Sequence, residues 1–130
     1  MAVAIAVDTN RYRDFVEGLA DVVSVFRTAP RIVLPFVVVA ELRAGFAVGL
    51  RGRENQRVFE EFLHRRRVEV SLPTMETTRH YATLFRQLRE ACTPIPVNDL
   101  WIAALVVQHD LVLYSRDAHF DLLPQLPRVE

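Results

Sequence analysis

The sequence predicts an α/β fold with three layers, α/β/α, in which helices cover both faces of a mostly parallel central sheet of four to five strands. Short apolar runs without polar alternation, such as residues 2–7, are typical of strands buried on both faces. Segments with helical spacing separate these runs, and strands that alternate with helices need crossover connections between parallel strands. A chain of 130 residues can bury one core, so we expect a single domain over residues 1–130.

The first half of the chain begins with the predicted strand at residues 2–7. Apolar spacing then predicts a helix over residues 11–27, which Gly18 could divide into two. Residues 31–34 are the second predicted strand. Residues 35–48 begin with a proline, which suits the first turn of a helix.

The middle of the chain continues the alternation. Residues 54–65 have the apolar spacing of an amphipathic helix, and residues 68–72 are the third predicted strand. A long helix is predicted from residues 73–74 to about Cys92, because apolar residues recur at helical spacing along it. Cys92 has no disulfide partner in the chain, and we expect it to be a buried small apolar residue.

The last third supplies one more helix and the remaining strands. Asn98 is a suitable N-cap residue for a helix predicted over residues 99–108. Residues 111–114 are the fourth predicted strand, and residues 126–129 are a candidate for a short fifth strand.

Four acidic residues occupy apolar or strand-end surroundings. Asp8 follows the first strand and Asp117 follows the fourth, which predicts both at the carboxyl edge of the sheet, where α/β proteins place their sites. Glu41 has apolar or small neighbours one helical turn away on either side, and burying it unpaired would cost several kcal/mol. Asp99 is the one charged residue within residues 93–108.

Each of these acids also has a structural explanation. Asp8 could cap a strand end, Asp99 could interact with the helix dipole, and Asp117 could begin a turn. Glu41 could pair with Arg43, although residues at i and i+2 do not face each other on a helix. If the four carboxylates converge, their repulsion would raise pKa values or require a cation. Carboxylate oxygens suit Mg²⁺ or Mn²⁺, whereas the one cysteine and four histidines lack zinc-type spacing.

Composition restricts the partners of the protein. Its 16 basic residues are all arginine and are balanced by 16 acids, so no net charge attracts nucleic acid. Arginine suits both phosphate and carboxylate, although genomic base composition also explains the absence of lysine. Residues 43–67 hold seven arginines against three glutamates, a local excess of four. No apolar run reaches the roughly 18 residues of a membrane span, and the first residues lack signal-peptide features. We therefore expect a cytoplasmic protein without a membrane partner.

Four motifs follow one another along the chain. They are V-D-T-N at 7–10, E-L-R-A-G at 41–45, P-V-N-D-L-W-I-A-A at 96–104 and S-R-D-A-H-F at 115–120. In this order and at these separations they resemble the PIN domain and, within that fold, the VapC-type toxins of bacterial toxin–antitoxin pairs. The resemblance extends from residue 3 to about residue 127, and its sharpest part is N-D-L-W-I-A-A.

The resemblance implies a metal-dependent endoribonuclease with one or two Mg²⁺ or Mn²⁺ ions per site. The positions that match the family's catalytic and metal-binding acids are Asp8, Glu41, Asp99 and Asp117. Supporting polar roles are implied for Thr9, Asn98 and Ser115. Cleavage of RNA by such an enzyme is expected to leave a 5′ phosphate and a 3′ hydroxyl. For His119, we expect a packing or capping role rather than catalysis.

Arginines near the acids are candidates for RNA binding. Arg43 lies close to Glu41 in the sequence and Arg116 precedes Asp117, so these two are the first candidates. A second group is Arg51, Arg53 and Arg57. For Arg65, Arg66 and Arg67, a structural role at a helix C-terminus is the simpler explanation.

The resemblance also implies protein partners. A cognate antitoxin would place a helix and an extended tail in a groove of the toxin, and operator DNA would be contacted only through the antitoxin. A homodimer is expected through the helices around residues 36–63. The identity of the RNA is not implied, because transfer, ribosomal and messenger RNA all fit.

Three other functional classes also place an acid after the first strand or share this type of fold. A non-catalytic PIN-fold binding module that acts in a DNA-bound complex with an antitoxin-like partner is the main alternative. A phosphatase of the haloacid dehalogenase type would need an aspartate at position 10, where this chain has Asn10, and a lysine, which it lacks. A dinucleotide-binding protein is disfavoured because no G-x-G-x-x-G follows the first strand.

Overall fold

The structure, a computed structural model, describes residues 3–129. Four strands lie within these residues: β1 (Ile5–Val7), β2 (Ile32–Pro35), β3 (Val68–Ser71) and β4 (Val112–Tyr114). The α-helices of the same range are α1 (Thr9–Val16), α2 (Ala20–Thr28), α3 (Phe36–Val48), α4 (Gly52–Leu63), α5 (Met75–Glu90) and α6 (Val97–Gln108). A short 3₁₀ helix, Ala118–Leu122, follows β4.

The strands form one fully parallel sheet in the order β3-β2-β1-β4. The prediction of a three-layer α/β/α fold around a mostly parallel sheet is confirmed. The residues of β1 and β2 are all buried, which explains their lack of alternation. The candidate fifth strand at 126–129 does not form a full strand, and one isolated parallel bridge joins Leu113 to Arg128 there. Pro127 lies within this segment and has no backbone N–H to donate, which limits further pairing.

The segment predicted as a helix over residues 11–27 forms two helices, α1 and α2. Gly18 separates them and has a φ of +82°, in the left-handed region that glycine adopts without steric cost. Helix α1 begins earlier than predicted, at Thr9. The Asp8 side chain accepts a hydrogen bond from the Thr9 backbone N–H and caps this helix.

Two predictions about the surroundings of α6 are wrong. Asn98 does not cap the helix, because α6 begins at Val97 with Pro96 at the N-cap position. Pro96 has a φ of −56°, which suits the entry to a helix. Cys92 is exposed rather than buried. It lies beyond the end of α5 with a φ of +57°, in a left-handed turn where the helical spacing no longer applies.

The core lies between the sheet and its two layers of helices. Helix α6 is its most deeply buried helix, with residues 102–106 all at most 1% exposed. On the other side, Phe15 stacks on Phe26 with ring centroids 4.2 Å apart, and Tyr12 packs edge-to-face against Phe59. No helix within residues 3–129 combines the length and apolar character that would be needed to cross a membrane.

Candidate functional site

The four acids singled out from the sequence line one cleft at the carboxyl edge of the sheet. Asp8 directly follows β1, Asp117 lies three residues after β4, Glu41 lies on α3 and Asp99 lies in the first turn of α6. The cleft has a volume of about 350 Å³. Its walls are formed by Asp8, Thr9, Asn10, Arg13, Glu41, Asp99, Arg116 and Asp117. Parallel strands bring residues from distant parts of the chain together at this edge.

Asp8 is the most constrained of these acids. It is 5% exposed, and its Oδ2 accepts a hydrogen bond of 2.6 Å from the Ser115 hydroxyl and one of 3.3 Å from Asn10 Nδ2. Its Oδ1 accepts from the Thr9 backbone N–H at 2.8 Å. These donors hold the carboxylate in one orientation.

Glu41 is exposed on α3, so its apolar helical neighbours do not bury it. The Thr9 hydroxyl donates a hydrogen bond of 3.0 Å to Glu41 Oε1. Thr9 therefore connects the helix that begins at Asp8 with the helix that carries the second acid. This contact gives Thr9 a physical role in aligning the two carboxylates.

Asp99 and Asp117 both approach the same ring nitrogen of His119. Nδ1 of His119 is 3.0 Å from Asp99 Oδ2 and 2.9 Å from Asp117 Oδ1. Asp117 Oδ1 also accepts the His119 backbone N–H at 2.9 Å and so caps the 3₁₀ helix. Asp117 therefore provides the cap, and the His119 side chain instead lies against two acids, a position that was not predicted from the sequence.

The environment of Asp99 favours its neutral form. The pKa of Asp99 is raised to about 6. Partial burial is the largest cause, the negative charges of Asp117 and Asp8 act in the same direction, and His119 opposes the shift. A carboxyl group whose charge is penalised in this way is stabilised by a bound cation. The N-terminus of α6 contributes a smaller favourable dipole.

The supporting polar residues differ in their placement. Ser115 is 5% exposed, and its hydroxyl also accepts the Asp117 backbone N–H at 3.0 Å, so that it connects Asp8 to the loop bearing Asp117. Asn98 is exposed and does not line the cleft. The sequence analysis had not assigned Asn10 to the site. Its position two residues after Asp8, within the V-D-T-N motif, was the available signal.

The two candidate arginines lie in different surroundings. Arg116 lines the cleft, whereas Arg43 does not and pairs with Glu60 of α4 at 2.7 Å. Arg13 of α1, which the sequence analysis did not single out, also lines the cleft. It lies four residues after Thr9 and so faces the same side of α1, and this helical spacing could have identified it.

The donor groups of the cleft fit a hard divalent cation. Oxygen atoms of Asp99 and Asp117 and a ring nitrogen of His119 lie within 4.8 Å of one another. Carboxylate oxygens are the preferred protein ligands of Mg²⁺ and Mn²⁺, and imidazole is compatible with Mn²⁺. Burial is the main cause of the raised pKa of Asp99, and the negative charges of Asp117 and Asp8 add to it.

A family model described as the PIN domain matches residues 3–126. The chain belongs to the PIN-domain family. The match covers all four strands and the four acids of the cleft. Comparison with curated protein sequences gives no significant match.

Solved structures of similar fold cover this PIN domain almost completely. VapBC-1 from nontypeable Haemophilus influenzae has a TM-score of 0.84 and 25% identity, over 98% of this chain and 97% of that one. DNA-bound VapBC from Salmonella typhimurium has a TM-score of 0.87 and 21% identity, over 98% and 97%. VapBC2 from Rickettsia felis, bound to a promoter DNA fragment, has a TM-score of 0.86 and 22% identity, over 97% of each chain. These similarities confirm the resemblance that the four motifs indicated.

Proposed function

We propose that this PIN domain is an Mg²⁺- or Mn²⁺-dependent endoribonuclease and acts as the toxin of a toxin–antitoxin pair in the cytoplasm. The observation that supports this most strongly is the convergence of Asp8, Glu41, Asp99 and Asp117 on one cleft. Nothing in the packing of the core requires four carboxylates there, and their repulsion is a cost that a bound cation removes. The likeness to VapBC structures supports the toxin assignment.

In this proposal, Asp8, Glu41 and Asp99 are the main metal ligands and Asp117 completes the site or orients the attacking water. The metal, one or two ions per site, would neutralise the scissile phosphodiester and lower the pKa of the attacking water. Ser115 and Asn10 hold Asp8 in place, and Thr9 holds Glu41. Arg13 and Arg116, on the cleft wall, are placed to bind phosphates of the RNA.

An antitoxin partner and a homodimer form part of the same proposal. The structures that resemble this chain are complexes named VapBC, and two of them are described as bound to DNA. A single domain over residues 1–130 would bind its antitoxin directly and contact operator DNA only through it.

The test is cleavage of total cellular RNA by the purified chain, freed of any antitoxin, in Mn²⁺ or Mg²⁺. We expect discrete fragments with 5′ phosphates from the wild type and none from Asp99→Asn or with EDTA. Asp110→Asn, which removes an exposed acid at the far end of α6, is the matched control and should cleave as the wild type does. Absence of cleavage by protein that binds Mn²⁺ would contradict the proposal.

The alternative is a binding module that acts without catalysis in a DNA-bound complex. The observation that favours this alternative is that two of the similar VapBC structures are described as bound to DNA. It predicts that Asp99→Asn leaves DNA binding by the complex unchanged and that no RNA is cleaved under any metal condition.

A further inference from the structure

A buried carboxylate outside the acidic quartet contacts the wall of the cleft. Asp14 of α1 is 4% exposed, and its two oxygens accept hydrogen bonds of 2.9 Å each from Nε and Nη2 of Arg116. Arg11 Nη1 donates a third, at 3.2 Å. A buried aspartate is costly unless it is paired in this way, and neither the core nor the metal chemistry proposed above uses its charge.

The hydrogen bonds leave part of the Arg116 guanidinium free. Asp14 occupies the Nε–Nη2 edge, and within residues 3–129 no hydrogen bond engages Nη1. The Arg116 side chain is 56% exposed, against 6% for that of Asp14, and it lines the cleft together with the acids. The free donors are therefore available to a ligand at the cleft, while the opposite edge is fixed in the protein.

Helix α1 holds Arg116 at two points. Asn10 and Asp14 are one turn apart on α1, and Asn10 Oδ1 accepts the Arg116 backbone N–H at 3.3 Å. Arg11 in turn lies over the Tyr114 ring, with its guanidinium carbon 4.7 Å from the ring centroid. The carboxylate that orients Arg116 is thus itself fixed by its neighbours.

We propose that Asp14 is a positioning residue that holds the Arg116 guanidinium at the rim of the acidic cleft as a binding group for an RNA phosphate. This inference rests on the proposed nuclease function. Arg116 immediately precedes Asp117, and without a fixed partner its charge would be drawn to the carboxylates of the cleft. A guanidinium fixed in advance loses less conformational entropy when it binds a phosphate.

The sign of the effect separates positioning from simple electrostatics. Asp14→Asn removes a negative charge beside the RNA site, so long-range attraction alone predicts tighter RNA binding. Positioning predicts the opposite, because the neutral amide holds the guanidinium weakly. We expect about tenfold weaker binding, as for loss of a charge-assisted hydrogen bond. Asp21→Asn, the same change at an exposed position of α2, is the control and should not weaken binding.

Binding is measured by fluorescence anisotropy of a labelled mixed-sequence single-stranded RNA in Mg²⁺, with all variants built on Asp99→Asn so that the RNA stays intact. Asp14→Asn and Arg116→Gln should weaken binding to a similar degree, and the double substitution should add little to either. The proposal would be overturned if Asp14→Asn bound RNA as tightly as the parent or more tightly. It would also be overturned if Asp14→Asn weakened binding just as much when Arg116 had already been replaced by glutamine. In the cleaving protein, we expect the Asp14→Asn effect in KM, with kcat within about twofold.

Arg116→Lys keeps the test decisive if Asp14→Asn does not fold. Lysine retains the charge but cannot make the two-point contact with a carboxylate, so positioning predicts binding as weak as that of Arg116→Gln. Lysine that binds as well as arginine would overturn the proposal. Absence of RNA cleavage by the wild type, together with the predicted binding losses, would instead refute the nuclease function and leave the role of Asp14 standing.

Discussion

Ser115 donates a hydrogen bond of 2.6 Å to Asp8, a residue 107 positions earlier in the chain. The same hydroxyl oxygen accepts the backbone N–H of Asp117. One serine therefore orients the first acid of the cleft and the loop that carries the last. The contact with Asp8 depends on the parallel pairing of β1 with β4.

Ser115→Ala is expected to weaken Mn²⁺ binding by about 10- to 100-fold, the usual effect of losing a group that orients a metal ligand. The change leaves the four carboxylates in place, so cleavage should recover at high metal concentration. Isothermal titration calorimetry measures the affinity. Ser24→Ala, at an exposed position of α2, is the control, and equal affinities for the two variants would contradict the role of Ser115.

The pKa of Asp99, raised to about 6, predicts a pH dependence of metal binding. The charged carboxylate binds the cation, so protonation competes with the metal below about pH 6 and the affinity for Mn²⁺ should rise between pH 5 and pH 7. Titrations across this range provide the measurement. The same affinity at both ends of the range would show that Asp99 is not a ligand.

The same raised pKa predicts how the stability of the metal-free protein depends on pH. Asp99 has a pKa of 3.8 without the fold and about 6 within it, so the folded protein binds more protons between these values. The free energy of unfolding should therefore fall as pH rises from about 4 to 6. At pH 7.5 in EDTA, we expect Asp99→Asn to be more stable than the wild type in urea titrations. A less stable variant would refute the electrostatic explanation.

His119→Ala should move the pH midpoint of metal binding upward. His119 lowers the pKa of Asp99 through its charge and its hydrogen bond. Without it, burial and the neighbouring acids should raise the pKa of Asp99 further. Above pH 8, cleavage should persist if His119 has no catalytic role. His109→Ala, at an exposed position after α6, serves as control. Loss of cleavage at every pH would instead identify His119 as a catalytic residue or a metal ligand.

Phe120 anchors the 3₁₀ helix that follows Asp117, and it is 1% exposed. Phe120→Ala should lower the stability by about 3–5 kcal/mol, as for other buried phenylalanines, and should also weaken Mn²⁺ binding. Phe59→Ala removes an equally buried ring on α4, away from the cleft, and controls for stability. Metal affinities that fall equally in both variants would contradict a specific role for Phe120.

Sequence patterns predicted the sheet and the position of Asp8 and Asp117 at its carboxyl edge, because both follow from strong local signals. Apolar runs without alternation mark strands buried on both faces, and an acid directly after such a run marks the carboxyl edge of the sheet. The two wrong predictions, for Asn98 and Cys92, also have local causes. Asn98 is a good cap by residue type, but Pro96 starts the helix two residues earlier. Cys92 continues the apolar spacing of α5 in the sequence, but the helix ends at Glu90 and Cys92 lies in a left-handed turn after it.

The polar network around the site could not be predicted in the same way. Asp14 stands between charged and apolar residues of α1, and nothing in its local pattern shows that it is buried against Arg116, 102 positions away. Its position near Glu41 in the sequence made Arg43 a candidate for the cleft, but Arg43 pairs with Glu60 of the neighbouring helix at 2.7 Å. Pairings of this kind depend on which helices become neighbours, which is a property of the folded chain.

In the strand order β3-β2-β1-β4, the first strand of the chain pairs with β4, which is the last of the four strands to be synthesised. During synthesis, β1 and Asp8 emerge early, but one edge of β1 stays unpaired and the Ser115 hydroxyl is missing until β4 has been added. A chain that stops before β4 lacks both Asp117 and the donor that orients Asp8. Interrupted translation of this protein would therefore release fragments whose acidic cleft is incomplete, because Asp117 and the hydroxyl that orients Asp8 are both missing from them.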